Sequence, residues 1–106
     1  MAREKFQSLT EQMFYILLCL RHELCGADIA AQIGVMTQGR VTVGPGTLYN
    51  VLDSFLQAEM IAETKVEGRK RSYLITPKGR EMLEAEYRRL LILAADYRAC
   101  TGEEET

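Results

Sequence analysis

The sequence predicts a mainly α domain of the α+β class, in which three short helices precede a two-stranded hairpin and a long fourth helix follows it. Apolar residues recur at helical spacing before residue 58 and after residue 76, and β-branched and aromatic residues flank a glycine turn between these regions. With 106 residues, one core is expected. No apolar run approaches the roughly 18–20 residues that span a bilayer, and the N-terminal residues lack a signal-peptide pattern. We therefore expect a cytoplasmic protein with no membrane partner.

Helices one and two are predicted by apolar stripes on either side of Gly26. Helix one is expected over residues 9–24, with Ser8 or Thr10 as its N-cap. Its stripe consists of Met13, Ile16, Leu17, Leu20 and Leu24. The stripe of helix two consists of Ile29, Ile33 and Met36. Residues 37–40 are typical of a turn, and residues 41–43 of a short extended segment.

Helix three is predicted to begin at Pro45, because the fixed φ and missing donor of proline suit the first position of a helix. One face of this helix is apolar and is expected in the core. It carries Leu48, Val51, Leu52 and Phe55. The other face is rich in hydrogen-bonding groups, with Tyr49 at its boundary. It carries Asn50, Asp53, Ser54 and Gln57.

A β-hairpin is predicted over residues 61–66 and 71–75, with residues 67–70 as its turn. The net charge of residues 64–80 is +5, whereas that of the whole chain is −2. The basic residues of this segment are Lys65, Arg69, Lys70, Arg71, Lys78 and Arg80. A concentrated basic patch indicates a polyanionic partner, although a solvated charged hairpin is the simpler alternative.

Helix four is predicted over residues 77–99, with Thr76 as cap and Pro77 at the first position. Residues spaced by four and three form a seam typical of a coiled coil, and Leu91, Ile92 and Leu93 widen it. We expect this seam to be the interface of a homodimer, since the helix is roughly 33 Å long and one small domain cannot cover it. Folding back onto helix one is the alternative. The predicted interface residues are Leu83, Tyr87, Leu90, Leu91, Ala94 and Tyr97.

These boundaries divide the chain into a domain of three helices and a hairpin over residues 8–76, a dimerisation helix over residues 77–99 and a tail over residues 100–106. The tail contains three consecutive glutamates and is expected to be disordered.

Enzymatic and metal-binding functions find little support in the sequence. The chain has three cysteines, an odd number without CxxC spacing, and one histidine, which argues against a disulfide framework and a structural zinc site. Cys19 lies in an apolar run and is expected in the core. There is no phosphate-binding glycine loop or nucleophile motif. We therefore expect no enzyme activity, no cofactor and no metal.

The order of elements, three helices followed by a basic hairpin, is typical of a winged helix-turn-helix. Two segments add a family resemblance. The segment from Val43 to Tyr49 resembles the recognition-helix motif of PadR-family transcriptional regulators. The segment from Arg71 to Arg80 resembles that family's second wing strand and the start of its C-terminal helix. The resemblance covers about residues 9–99 and is to the family's short branch, which has a single C-terminal helix.

This resemblance implies a homodimeric repressor that binds an inverted repeat in double-stranded DNA, with helix four as the dimerisation element. It also implies that a small aromatic or hydrophobic effector releases the DNA, as in some members. The chain departs from the family at three places. Cys25-Gly26-Ala27 replaces a common histidine-glycine-tyrosine segment, and Gly44 replaces a common serine cap. The chain has no Trp, so an effector pocket of stacked tryptophans is not expected.

The residues themselves suggest how DNA would be bound. Gly46 and Thr47, in the first turn of helix three, can offer backbone N–H groups to phosphate. Asn50, Ser54 and Gln57 can bond to base edges, and Tyr49 is expected at a phosphate. Because helix three has no Arg or Lys, the affinity is expected to come from the wing. Its predicted phosphate contacts are Arg69, Lys70 and Arg71, with Arg40 and Lys65 as helpers.

Two other functions remain open at this stage. A winged helix without positive charge on helix three suits a protein-interaction module that does not bind DNA. Elution from a heparin column in a salt gradient distinguishes this module from a DNA-binding protein, because a DNA-binding protein would elute late. A redox or metal sensor built on His22 and Cys25 is the other alternative, and a zinc titration with thiol counting tests it.

Overall fold

The computed structural model describes residues 8–102, which form four helices and three strands. In chain order the elements are α1 (Glu11–Cys19), β1 (Leu24–Cys25), α2 (Gly26–Met36), α3 (Pro45–Gln57), β2 (Ile61–Glu67), β3 (Lys70–Ile75) and α4 (Pro77–Thr101). The predicted mainly α winged-helix architecture is confirmed. None of the helices described within this range is long and apolar enough to cross a membrane.

One hydrophobic core lies between α1, α2, α3 and the sheet. The apolar stripes predicted for the first three helices supply most of it. Its fully buried large side chains are Ile16, Leu17, Leu20, Ile29, Ile33, Leu52, Phe55 and Met60. Cys19 is also buried, as predicted, and burial raises the pKa of its thiol, which Arg21 partly offsets. The core therefore fixes which face of α3 is turned outward.

The sheet is antiparallel with the strand order β1-β3-β2, so it has one strand more than predicted. In β1, Leu24 pairs with Tyr73 and Cys25 with Ser72. The prediction that helix one reaches residue 24 is wrong, because α1 ends at Cys19 and the Leu20 carbonyl accepts a hydrogen bond from the Ile75 N–H. Pairing with β3 thus outweighs the helical spacing of Leu24.

The segment 41–43 is not a strand of the sheet, although Val41 and Val43 are buried. Thr10 caps α1 by accepting a hydrogen bond from the Met13 N–H. Of the two predicted caps, the structure therefore uses Thr10.

Helix α4 begins as predicted, with Thr76 as cap and Pro77 in the first turn, but it extends two residues further, to Thr101. Cys100 and Thr101, expected in a disordered tail, are therefore helical, and the helix ends at Gly102 in the left-handed conformation (φ 73°). Residues 103–106 of the predicted tail lie outside the described residues. The first third of α4 packs on α1 and β3, and every described residue from Leu90 onward is exposed.

Candidate nucleic-acid interface

The outward face of α3 carries the polar side chains expected to contact DNA. Asn50, Asp53 and Gln57 are exposed, and Ser54 is half-buried. The opposite face is buried through Leu48, Leu52 and Phe55, with Val51 half-buried. Since the core holds that apolar face, α3 presents amide and carboxylate groups outward in a fixed orientation.

The first turn of α3 is open to solvent and has no acidic side chain. Gly44 is the N-cap without a side-chain cap bond, Pro45 follows it, and Gly46 and Thr47 are exposed. The first N–H groups of a helix have no acceptor within the helix and carry a partial positive charge. This turn can therefore accept an anion without a positively charged side chain.

Tyr49 lies across the start of α2. A Cβ atom built on Gly26 would be 3.1 Å from the Tyr49 hydroxyl oxygen and 3.2 Å from its ring, so the tyrosine packs over this buried glycine. The Tyr49 side chain is nevertheless 47% exposed. It therefore joins α2 to α3 and remains available at their shared surface.

The hairpin of β2 and β3, which we call the wing, projects from the domain with a two-residue turn at Gly68 and Arg69. Gly68 has a φ of 62°, a conformation that suits glycine. Lys65, Arg69 and Lys70 are exposed along the distal half of the wing. The sequence prediction of a basic wing tip thus agrees with the exposure of these side chains.

Arg71 differs from the other wing cations because it has an acidic partner. Its guanidinium lies 2.8 Å from a carboxylate oxygen of Glu63, and this hydrogen bond raises the pKa of Arg71. Glu63 was not among the predicted site residues; strand pairing places it opposite Tyr73, two residues from Arg71. The pair lowers the net positive charge of the wing.

A bulge between Glu63 and Lys65 interrupts the pairing of β2 with β3. The extra residue, Thr64, donates a hydrogen bond from its hydroxyl to the Glu23 carboxylate in the segment before β1. The bulge therefore ties the wing to the domain. The sequence carried no signal for this contact, because its partners are 41 residues apart.

Arg40, predicted to help the wing, lies instead in the turn between α2 and α3. It contacts Glu11 and Tyr15 of α1, each at 2.8 Å. The hydrogen bond to Glu11, and then that to Tyr15, raises the pKa of Arg40. The structure thus pairs Arg40 with α1.

The predicted interface residues of α4 fall into two groups. Leu83 is 8% exposed and belongs to the core of its own chain, so its inclusion in an outward seam is not supported. The other five are exposed in the single chain. They are Tyr87, Leu90, Leu91, Ala94 and Tyr97, and Ile92 and Leu93 are exposed beside them.

The sequence also left open a redox or metal site built on His22 and Cys25. His22 is exposed and Cys25 is half-buried at the start of α2. Over residues 8–102, no group of three or more His, Cys, Asp or Glu side chains is arranged to hold a metal ion.

Comparison with known proteins adds a family match to this geometry. A sequence model of the transcriptional regulator PadR-like family matches residues 16–85. An uncharacterized 37.1 kDa protein in transposon Tn4556 of Streptomyces fradiae is 33% identical over 75 residues, which are 71% of this chain. This chain spans only about a fifth (21%) of that relative's length.

Two solved structures illustrate the similarity of fold. A transcriptional regulator from Clostridium thermocellum superposes with a TM-score of 0.73 at 18% identity, over 84% of this chain and 90% of that one. Bacillus subtilis PadR, solved in complex with operator DNA, gives a TM-score of 0.63 at 22% identity, over 71% of this chain and 45% of that one. At these identities the likeness concerns the fold.

Proposed function

Because this chain belongs to the transcriptional regulator PadR-like family, we propose that it is a repressor that binds an inverted repeat in double-stranded DNA as a homodimer. The observation that carries this proposal is the exposed polar face of α3 beside a wing whose distal half is cationic. A helix of this size fits the major groove, and a hairpin can follow the adjacent backbone.

In this proposal, α3 positions the protein and selects the sequence. The N–H groups of Gly46 and Thr47 bind a phosphate, and Tyr49 binds a second one through its hydroxyl. Asn50, Ser54 and Gln57 contact base edges, where an Asn or Gln side chain suits adenine. Asn50 and Gln57 are seven residues apart, about 10 Å along the helix, which corresponds to roughly three base pairs.

The wing supplies the electrostatic affinity in this proposal. Lys65, Arg69 and Lys70 are exposed and contact phosphates, whereas Arg71 contributes less because Glu63 already neutralises it. Such contacts raise the affinity for all sequences and make it depend strongly on salt.

A binding-site selection with the full chain tests the proposal. Wild type is expected to select an inverted repeat. Asn50→Ala is expected to lose about 1–3 kcal/mol at one or two base positions and to keep its non-specific affinity. Tyr49→Ala is expected to weaken binding to all sequences alike, so it serves as the matched comparison. Identical motifs and affinities for wild type and Asn50→Ala would show that Asn50 does not read bases.

The alternative function, a protein-interaction module, gives a different result in the same experiment. The face of α3 has no Arg or Lys, which is the observation that favours such a module. A wild type that selects no motif and elutes early from heparin would support it and contradict DNA binding.

An effector is the remaining part of the proposed function. A cleft of about 340 Å³ lies between α1 and α4. Its lining includes apolar and aromatic side chains, among them Phe14, Leu18 and Tyr87, and two arginines, Arg21 and Arg80, against the single acid Glu84. This size and chemistry suit a small aromatic carboxylate. Benzoate is expected to raise the melting temperature of wild type and not of Leu18→Trp, in which the larger side chain fills the cleft. An equal shift in both proteins would contradict this site.

A further inference from the structure

The turn between α2 and α3, residues 37–44, is held against the first turns of α1 by side chains. One guanidinium nitrogen of Arg40 lies 2.8 Å from a Glu11 carboxylate oxygen, and the other donates to the Tyr15 hydroxyl at 2.8 Å. In addition, the Gln12 side-chain amide donates to the Thr42 carbonyl at 3.0 Å. We call the group Arg40, Glu11 and Tyr15 the Arg40 bracket.

Hydrogen bonds within the turn give it its shape but do not fix it relative to α1. The Thr37 hydroxyl donates to the Ile33 carbonyl at 2.8 Å and accepts from the Val41 N–H at 3.1 Å. Gln38 and Gly39 both have positive φ, at 55° and 80°. The turn is thus shaped by its own hydrogen bonds, and the Arg40 bracket connects it to α1.

The guanidinium N–H donors of Arg40 are already hydrogen-bonded to Glu11 and Tyr15, which makes a contact with phosphate unfavourable. Arginine binds phosphate through the same donors that here face Glu11 and Tyr15. A phosphate would also approach the Glu11 carboxylate, which repels it. The Arg40 side chain is 60% exposed and that of Glu11 59% exposed. The pair is therefore accessible to solvent, but the donors of Arg40 already have acceptors within the protein.

We propose that Arg40 is a positioning residue, which orients the start of α3 by bracing the preceding turn against α1. Only residues 41–43, with Val41 and Val43 buried, separate Arg40 from the N-cap at Gly44, so a displacement of the turn would reach the first turn of α3. This inference rests on the proposed DNA-binding function, and it assigns to Arg40 a role different from that predicted from its charge.

Four variants distinguish bracing from phosphate binding. Arg40→Gln and Glu11→Gln are each expected to lower the affinity for the selected DNA site, by up to about fivefold for an exposed pair. The double variant is expected to be no weaker than either single variant, because each one already opens the bracket. Arg40→Lys, which can still pair with Glu11, is expected to recover part of the loss. The slope of log K against log salt is expected to stay unchanged in all four.

A phosphate contact predicts the opposite pattern. In that case Arg40→Gln would reduce the salt slope by about 0.9, and Glu11→Gln would leave binding unchanged or tighten it. Either result would overturn the bracing role.

Amide hydrogen exchange of the free protein separates this inference from the proposed function. Arg40→Gln and Glu11→Gln are expected to accelerate exchange in residues 41–48, whereas Arg88→Gln is the matched control. Arg88 forms a comparable exposed ion pair with Glu84 on α4, at 3.1 Å. Unchanged exchange in residues 41–48 would overturn the bracing role, even if wild type binds DNA. Accelerated exchange in a protein that binds no DNA would support the bracket and reject the proposed function.

Discussion

Gly79 is a residue of α4 that lies directly against the backbone of the rest of the domain. Its N–H donates to the Thr76 hydroxyl at 3.1 Å, and Thr76 in turn donates to the Glu59 carbonyl at 2.8 Å. A Cβ atom on Gly79 would lie 2.1 Å from the Met60 carbonyl oxygen and 2.8 Å from Ile75. Since a backbone atom is the obstacle, the helix would have to move.

We therefore expect Gly79→Ala to lower the free energy of unfolding by about 1–3 kcal/mol, measured by urea denaturation. Gly34→Ala is the matched control. A Cβ atom there, in the last turn of α2, would meet nothing within 4 Å, so alanine should raise stability by about 0.4–1 kcal/mol. Equal effects of the two substitutions would contradict this interpretation of the Gly79 packing.

Glu86 is the buried charged residue of α4, at 5% exposure, and it is paired with Arg89. Hydrogen bonding to Arg89 lowers the pKa of the Glu86 carboxyl below its ordinary value of 4.5, against the opposing effect of burial. A lowered pKa in the folded state stabilises the fold above pH 4.5, and this contribution is lost as the pH falls through the folded pKa.

The free energy of unfolding of wild type is therefore expected to decrease more steeply below pH 4.5 than that of Glu86→Gln. Chemical denaturation at a series of pH values measures both. Glu84→Gln, which removes an exposed carboxylate from the same helix, should follow wild type. Parallel curves for wild type and Glu86→Gln would contradict the lowered pKa.

Among the elements, the wing carries the charge on which DNA affinity should depend. Replacing Arg69 and Lys70 by Ala is expected to reduce the slope of log K against log salt by roughly 1.8, about 0.9 for each phosphate that the wing no longer neutralises. Arg71→Ala should add little, because Glu63 already pairs with Arg71. Fluorescence anisotropy across a salt series measures the slope, and Arg88→Ala on α4 is the control for the loss of a positive charge outside the wing. An unchanged slope in the double variant would place the polyanion-binding surface elsewhere.

The elements that the sequence predicts well are those whose signal is local. The start of α3 follows from Pro45, the start of α4 from Thr76 and Pro77, and the wing turn from Gly68. Strand β1 has two residues and no periodicity, and it exists because β3 offers a partner. Its pairing also explains why α1 stops before the end of its apolar stripe.

The same distinction applies to the candidate site. Exposure of Asn50 and Gln57 follows from the helical period, since the opposite face is apolar. The pairing of Arg40 with Glu11 joins residues 29 apart in the chain, and no pattern within the sequence indicates it. The sequence therefore shows where the cationic residues are, whereas the tertiary contacts decide which of them can bind a phosphate.

At the scale of the whole molecule, α4 gives the chain an elongated shape, with extents of 55 × 40 × 22 Å. Its 25 residues correspond to about 37 Å of helix, and every described residue from Leu90 onward is exposed. Tyr87 and Tyr97 are 53% and 60% exposed at either end of a run of exposed leucine and isoleucine side chains. So many large apolar side chains exposed on one helix are unusual on a monomer and typical of an interface.

We expect the chain to be a homodimer at micromolar concentration, because a second copy of α4 matches this surface in length and apolar character. Leu90→Asp should give a monomer, since a charge buried in such an interface has no partner. Val35→Asp is the matched control, because Val35 is 79% exposed on α2, away from α4, and its replacement should leave the dimer intact. Sedimentation velocity measures both. A wild type that remains monomeric at high concentration would contradict the dimer and, with it, the binding of two DNA half-sites.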